Sequence, residues 1–171
     1  MYILILTLPL TNGFLGFFTI YLGRVNNIIL NILLMSFCWV LSLFIFYEIV
    51  LSQSLVFIDL YQWLLVDIFS IKFGLIFDPL SSVMLLVICT ISRLVHIYSI
   101  DYMSHDPYLP RSMSYLSLFT FPMILLVTSN NFVQLFIGWE GVGLCSYLLI
   151  NFWFTRIAAN KAAIKAMLMI E

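Results

Sequence analysis

The sequence predicts an all-α polytopic membrane protein with about five transmembrane helices, an incomplete sixth, and a short outer-side β-hairpin between spans 2 and 3. Composition is the first reason: 64% of the 171 residues are hydrophobic and only 9% are charged, against roughly a quarter charged in a soluble domain. Segmentation is the second, because the apolar residues fall into stretches of about 20, the length that a helix needs to cross the hydrocarbon core.

The predicted spans form one membrane domain, residues 1–171, in which short polar connections separate the helices. Gly23 to Asn27 separates the first pair, and Ser129 and Asn130 separate the last pair, so each pair is expected to be an antiparallel helical hairpin. A longer polar loop, residues 100–112, joins the middle two spans. The spans cover about residues 1–22, 28–51, 79–99, 113–128 and 131–154, and a partial helix covers 160–171.

Residues 52–77 mix apolar and polar side chains at short range and are rich in β-branched and aromatic residues. Val56, Ile58 and Leu60 alternate with Phe57 and Asp59, which is typical of a strand. We therefore expect a β-hairpin on the membrane surface. The alternation is imperfect, so an interfacial helix around residues 61–66 stays open.

The distribution of Lys and Arg predicts the orientation, because short loops rich in them stay on the inner side. One side carries most of them, whereas the other carries only Lys72, so the amino terminus and the hairpin should face the outer compartment. The partial helix spans about 18 Å, too short to cross the bilayer, and we expect a partner chain to complete it. The residues that flank the inner side are Arg24, Arg93, Arg111, Arg156 and Lys161.

Glu140 is the most informative residue of the fifth span. It lies about 14 Å into a helix that starts near Asn131, close to the bilayer midplane. A charged carboxylate at that depth costs several kcal/mol unless it is paired, hydrated or protonated. Such a group suits reversible proton binding, and the alternative is a structural carboxylate that is hydrogen-bonded to a neighbouring helix. On a helical wheel Tyr147 and Asn151 share its face, which predicts a polar stripe towards the inner side.

Two further titratable residues are candidates for proton transfer. His96 lies near the inner end of the third span, where it either receives protons or is an interfacial histidine satisfied by headgroups or loop carbonyls. Lys165 lies one helical turn beyond Lys161, and either relays a proton to Glu140 or anchors the inner side, the role expected of Lys161. The three cysteines are isolated in apolar runs, so no metal site is expected. The scattered basic residues give no nucleic-acid-binding face.

Two long segments resemble a known family. They are FDPLSSVMLLVICTISRLVHIYSIDYMSHDP, residues 77–107, and FVQLFIGWEGVGLCSYLLINFWFTRIAANKAAIKAM, residues 132–167. Both are similar to the amino-terminal part of subunit 5 of mitochondrial NADH:ubiquinone oxidoreductase, respiratory complex I. The resemblance extends more loosely over the whole chain.

The resemblance implies a non-redox subunit of a proton-translocating NADH:ubiquinone reductase in the mitochondrial inner membrane. That family is similar to cation/proton antiporters, and Glu140 stands at the position of its proton-channel carboxylate. The cofactors of the complex, which are NADH, FMN, iron-sulfur clusters and ubiquinone, are expected on other subunits. The expected partners are the other membrane-arm subunits and lipids.

The chain also departs from the resembled subunit, which has many more helices. The lysine that pairs with the family's glutamate comes from a later helix, so Glu140 is half of a site. We therefore expect the amino-terminal fragment of a split subunit, completed by a second polypeptide. Two alternatives stay open: a structural brace without its own proton path, and a subunit of a related sodium/proton antiporter.

Overall fold

The computed structural model describes residues 1–17, 23–66 and 69–170. These residues form six α-helices and one β-hairpin, and a single 3₁₀ turn, Asn151–Trp153, follows the fifth helix. The elements are α1 (Tyr2–Phe17), α2 (Arg24–Ser52), β1 (Val56–Val66), β2 (Phe69–Phe77), α3 (Pro79–Tyr102), α4 (Leu109–Val127), α5 (Phe132–Ile150) and α6 (Ile157–Ile170).

Three helical segments in the described residues are long and apolar enough to cross a membrane. They are Arg24–Ser52, Pro79–Tyr102 and Phe132–Trp153, with 29, 24 and 22 residues. The helix α1 is apolar but shorter, and the predicted continuation of the first span over residues 18–22 lies outside the described residues. A mostly helical membrane fold is thus confirmed, whereas the count of five spans stays a prediction.

The helix boundaries differ from the predicted spans where polar residues join the helices. The helix α2 begins at Arg24 instead of residue 28 and includes Asn27, which is fully buried. The helix α4 begins at Leu109 instead of 113, with Pro110 in its first turn, where a missing N–H is not needed. Both helices begin before the predicted spans, because hydropathy excludes residues that are polar or helix-breaking in isolation.

The helices pack as a bundle in which α4 is central. It contacts α1, α3 and α5, whereas α2 packs on α1 and α3, and α6 packs on α5. Small residues bring α1 against α4: a Cβ on Gly13 would lie 2.6 Å from Leu118 Cγ, and one on Gly16 would overlap the side chain of Ser114. Such close approach is typical of helices packed in a membrane.

The predicted hairpin is confirmed. Strands β1 and β2 pair antiparallel from Val56–Phe77 to Val66–Phe69, so the alternative of an interfacial helix at residues 61–66 is wrong. The register shifts between Asp59 and Tyr61, and again between Gln62 and Leu64. These irregularities explain the imperfect alternation, because an extra residue reverses the face to which the following side chains point.

The hairpin is fixed to the connection between α4 and α5. The amide of Ile76 donates to the carbonyl of Thr128 over 2.9 Å, and Asn131 Nδ2 donates to the carbonyl of Lys72 over 2.6 Å. The opposite end of the bundle is held by Arg24, whose Nη2 donates to the carbonyls of Ser104 at 2.8 Å and Asp106 at 3.0 Å. Lys72 and Arg24 therefore lie at opposite ends, and the compartment that each end faces stays a prediction.

A capping box starts α3. Asp78 accepts from the Ser81 amide over 2.7 Å, and the Ser81 hydroxyl accepts from the Asp78 amide over 2.8 Å. Partial burial favours the neutral acid, but the hydrogen bonds from Ser81 outweigh it and hold the pKa of Asp78 below its ordinary value. The cap therefore stabilises α3 most while Asp78 is ionised.

Asp78→Ala is expected to loosen the first turn of α3 by about 1 kcal/mol, which is the usual cost of losing such a cap. Amide hydrogen exchange of residues 81 and 82 in the membrane-embedded protein measures this. In the unchanged protein the cap's contribution is complete above about pH 3.8 and is lost as the pH falls through the lowered pKa of Asp78. Ser82→Ala, which removes only a bond to the Pro79 carbonyl, is the control, and equal loosening there would contradict the prediction.

Gly138→Ala is expected to destabilise the packing of α5 on α4 by roughly 1–3 kcal/mol, the usual cost of overpacking. Its new Cβ would lie 2.9 Å from both the N and the Cα of Leu126, and a backbone cannot rotate away. The measurement is the thermal midpoint of the detergent-solubilised assembly. Leu135→Ala, at a side chain that is 39% exposed, is the matched control, and an unchanged midpoint for Gly138→Ala would refute the contact.

Candidate functional site

Glu140 lies in the middle of α5 with a partly exposed side chain. Within the residues that the structure describes, its carboxylate forms no ion pair and no hydrogen bond. At 100° per residue Glu140 is about 160° around the helix from Gly138 and about 100° from Gly141, and both glycines pack on α4. The carboxylate therefore points away from α4.

Tyr147 lies near the end of α5, and Asn151 lies in the 3₁₀ turn that follows it. Tyr147 and Asn151 are both half-buried, and Asn151 Nδ2 lies 3.5 Å from the Tyr147 hydroxyl. The Oδ1 atom of Asn151 is buried and has no hydrogen-bond partner in the described chain. The stripe thus leads from Glu140 towards the α5–α6 connection and ends on an acceptor that can still take a hydrogen bond.

Lys165 is not brought to Glu140. It is exposed on α6, as is Lys161, and among residues 1–17, 23–66 and 69–170 the only ion pair joins Lys72 to Asp59, at 3.3 Å. The described residues therefore bring no basic partner to Glu140.

His96 is buried inside the bundle, with 1% of its surface exposed. Its Nδ1 lies 2.7 Å from the Ser92 carbonyl, and its Nε2 lies 3.0 Å from the Ser117 hydroxyl of α4. The face of α3 on which His96 lies is buried, because five residues along it are shielded. These are Ser82, Cys89, Ser92, His96 and Ser99.

His96 belongs to a cluster of polar side chains that was not predicted from the sequence. Asn12 Nδ2 of α1 donates to Ser117 Oγ over 2.9 Å and also lies 3.3 Å from the Asn31 carbonyl of α2. Asn31 Nδ2 in turn donates to Asn27 Oδ1 over 2.5 Å. We call Asn12, Asn27, Asn31, His96 and Ser117 the polar cluster, and it joins α1, α2, α3 and α4. The signal in the sequence was the presence of Asn12 and Asn31 inside apolar spans, where unpaired amides are costly.

The polar cluster is not fully paired. Asn12 Oδ1 and Asn27 Nδ2 are buried and lack hydrogen-bond partners among the described residues. Beside the cluster, a cavity of about 340 Å³ opens between α3 and α4 and reaches Leu149 of α5. Its lining is mainly apolar, and Ser92, His96 and Thr120 supply the polar part of its wall.

Arg93 and Glu140 do not meet either. The guanidinium of Arg93 lies 4.5 Å from the centre of the Trp39 ring, and the indole Nε1 of Trp39 donates to Thr90 Oγ1 over 2.9 Å. The cation is thus held between α2 and α3 by its contact with an aromatic face. No group of three or more His, Cys, Asp and Glu side chains that could hold a metal ion occurs in the described residues.

Two family models match the chain. Residues 63–111 match one described as NADH-Ubiquinone oxidoreductase (complex I), chain 5 N-terminus, and residues 129–171 match one described as NADH:quinone oxidoreductase/Mrp antiporter, TM. The second match includes Glu140, Tyr147, Asn151 and Lys165, and the first includes His96.

A solved structure shares the fold. A chain in the structure of the membrane-bound sulfane sulfur reductase, an archaeal respiratory membrane complex, aligns with a TM-score of 0.83 at 16% sequence identity, over 96% of this chain and 33% of that one. At that identity the likeness concerns the fold alone.

Curated relatives are much closer in sequence. NADH-ubiquinone oxidoreductase chain 5 of Metridium senile is 59% identical over 172 residues, which are 99% of this chain and 28% of the relative. The same protein of Arabidopsis thaliana is 53% identical over 99% of this chain and 25% of the relative. The chain thus spans about a quarter of the length of these relatives. More than half of the aligned residues are identical, and the alignments cover 99% of this chain. The chain therefore belongs to the family of NADH-ubiquinone oxidoreductase chain 5 and corresponds to the amino-terminal part of that protein.

Proposed function

We propose that this chain contributes a proton half-channel to the membrane arm of respiratory complex I, in the mitochondrial inner membrane. Glu140 is the group that takes up and releases the proton. Electron transfer from NADH to ubiquinone takes place on other subunits, which hold FMN and the iron-sulfur clusters, and it supplies the free energy.

The observation that carries this proposal is the environment of Glu140. Its carboxylate lies in the middle of a membrane-spanning helix and has no partner in the described chain. An isolated carboxylate at that depth is costly, so a group outside the described residues must compensate it. A basic residue from the remainder of the membrane arm would form the other half of the site.

The stripe of Tyr147 and Asn151 supports an inner-side path to this carboxylate. Each offers a hydroxyl or an amide on the same face of α5, and a chain of such groups can guide a proton between hydrogen-bonded partners. The proton itself resides on one carboxylate oxygen of Glu140, and it leaves when a neighbouring charge changes. Lys165, exposed on the next helix, is a candidate to meet that path once the partner is in place.

A structural brace is the second candidate, because the hairpin and the exposed apolar helix faces offer surface for neighbouring subunits. The exposed side chains of the hairpin include Phe57, Tyr61, Trp63 and Leu65. A brace needs no carboxylate in the middle of α5, whereas a half-channel does, so Glu140 separates the two functions. Glu140 does not separate a complex I subunit from a sodium/proton antiporter subunit. The subunits that purify with this chain decide between those two functions.

Glu140→Gln is expected to leave assembly normal and to lower NADH-driven proton translocation severalfold, because the amide keeps the shape of the side chain but cannot hold a proton. Translocation is measured in sealed membrane vesicles, and assembly is measured by native electrophoresis of the same membranes. The matched control is Glu48→Gln, at an exposed carboxylate on α2. Normal translocation with Glu140→Gln would leave the brace as the function of this chain.

A further inference from the structure

One hydrogen bond fixes which nitrogen of His96 can change its protonation. Nδ1 lies 2.7 Å from the Ser92 carbonyl, and a carbonyl oxygen only accepts hydrogen bonds. Nδ1 must therefore carry a proton whether the ring is neutral or charged. The remaining nitrogen, Nε2, is the one that can gain or lose a proton, and it faces Ser117 over 3.0 Å.

The hydroxyl of Ser117 has a partner for either state of the ring. Ser117 Oγ lies 3.0 Å from Nε2 and also 3.0 Å from the Met113 carbonyl one turn earlier in α4. A hydroxyl has one proton to donate and two lone pairs to accept with. It can therefore turn its proton towards either acceptor while all heavy atoms stay in place.

We propose that Ser117 is a positioning residue that allows His96 to exchange a proton inside the bundle. With a neutral ring, the Ser117 hydroxyl donates to Nε2. When Nε2 takes up a proton, the new N–H donates to Ser117 Oγ, and the hydroxyl turns to donate to the Met113 carbonyl. One proton is bound and one positive charge is gained, and no other bond forms or breaks. Release of the proton reverses the same rotation.

The rest of the polar cluster holds this switch in position. Asn12 Nδ2 donates to Ser117 Oγ over 2.9 Å, and this bond can persist in both states of the ring. It occupies one lone pair of Ser117 Oγ, so the hydroxyl proton can point only towards His96 or towards the carbonyl of Met113. Asn31 Oδ1, at 3.5 Å, is a weaker acceptor than the Met113 carbonyl. His96 forms part of the wall of the cavity between α3 and α4, so its ring borders that cavity.

No charged side chain of the described residues contacts the ring from the helices around it. Residues 2–17 of α1 include none. On the other helices Arg24 is bound to loop carbonyls, Arg93 lies over Trp39, Arg111 is bonded to Tyr115, and Glu140 points away from α4. Glu48 and Asp101 are exposed near helix ends. The uncharged titratable groups on α1 to α5 are Tyr2, Cys38, Tyr47, Cys89, Tyr98, Tyr102, Tyr115, Cys145 and Tyr147. Among the described residues, the ring is therefore buried and hydrogen-bonded by Ser92 and Ser117 without a charged neighbour.

This inference rests on the proposed function, because proton translocation gives the switch its use. The test is the pH profile of NADH-driven proton translocation in membranes that contain the assembled complex. His96→Gln should remove one titration step from the profile and lower the maximal rate severalfold. Ser117→Ala should displace the midpoint of the same step by about one pH unit, the difference expected between a charge-assisted and a neutral hydrogen bond.

Controls separate the switch from packing. Ser114→Ala removes an equally buried hydroxyl three residues earlier, which bonds only to the Pro110 carbonyl of its own helix, and its profile should be unchanged. Ser117→Cys fills the site of the hydroxyl with a thiol that hydrogen-bonds weakly, so it should displace the same midpoint. It provides the test if Ser117→Ala fails to assemble. The double variant of His96→Gln and Ser117→Ala should be no worse than His96→Gln alone.

The outcomes distinguish this switch from the proposed function. An unchanged profile in Ser117→Ala and Ser117→Cys, or an equal change in Ser114→Ala, overturns the role of Ser117. If Glu140→Gln impairs translocation while the Ser117 variants do not, the half-channel stands and the switch fails. If the Ser117 variants shift the profile while Glu140→Gln is normal, the switch stands and the role of Glu140 fails.

Discussion

The hydrocarbon core of a membrane offers no hydrogen bonds, so a polar group within it must find its partner in protein. Backbone groups meet this constraint through the helices, and side chains have to meet it through contacts between helices. In this chain the constraint explains both the cohesion of the bundle and the position of its chemistry. The polar cluster satisfies this constraint largely within the described chain, whereas Glu140 does not.

The polar cluster meets this constraint with hydrogen bonds that hold four helices together. Asn12, Asn31, His96 and Ser117 come from four different helices, and each bonds to at least one of the others. Each such bond is worth about a kcal/mol or less in a membrane, but together they specify how four apolar helices are arranged. Apolar contacts with lipid would be equally favourable in many arrangements, so the polar side chains provide the specificity.

Glu140 leaves the constraint unsatisfied within the described chain. The glycine face of α5 packs on α4, so the carboxylate is turned away from α4. The bundle is meanwhile fixed at both ends, by the hairpin bonded to the α4–α5 connection and by Arg24 bonded to the loop after α3. A fixed scaffold around an unpaired carboxylate is consistent with a site that is completed by another part of the assembly.

Local pattern determined much of this from the sequence alone. Runs of apolar residues predicted the helical membrane class, and alternation predicted the hairpin, because the period of a pattern reports the geometry of its own segment. The same reasoning placed Glu140 in mid-helix and Tyr147 and Asn151 on its face. Only the tertiary structure decided which helices pack together. Ser117 and Asn12 are 105 residues apart, and no periodicity links them. The sequence pattern therefore could not predict the buried surroundings of His96. It also could not predict that Lys165 and Glu140 form no pair in the described residues. Contacts between helices depend on the shape and hydrogen bonding of both partners, which neither helix encodes by itself.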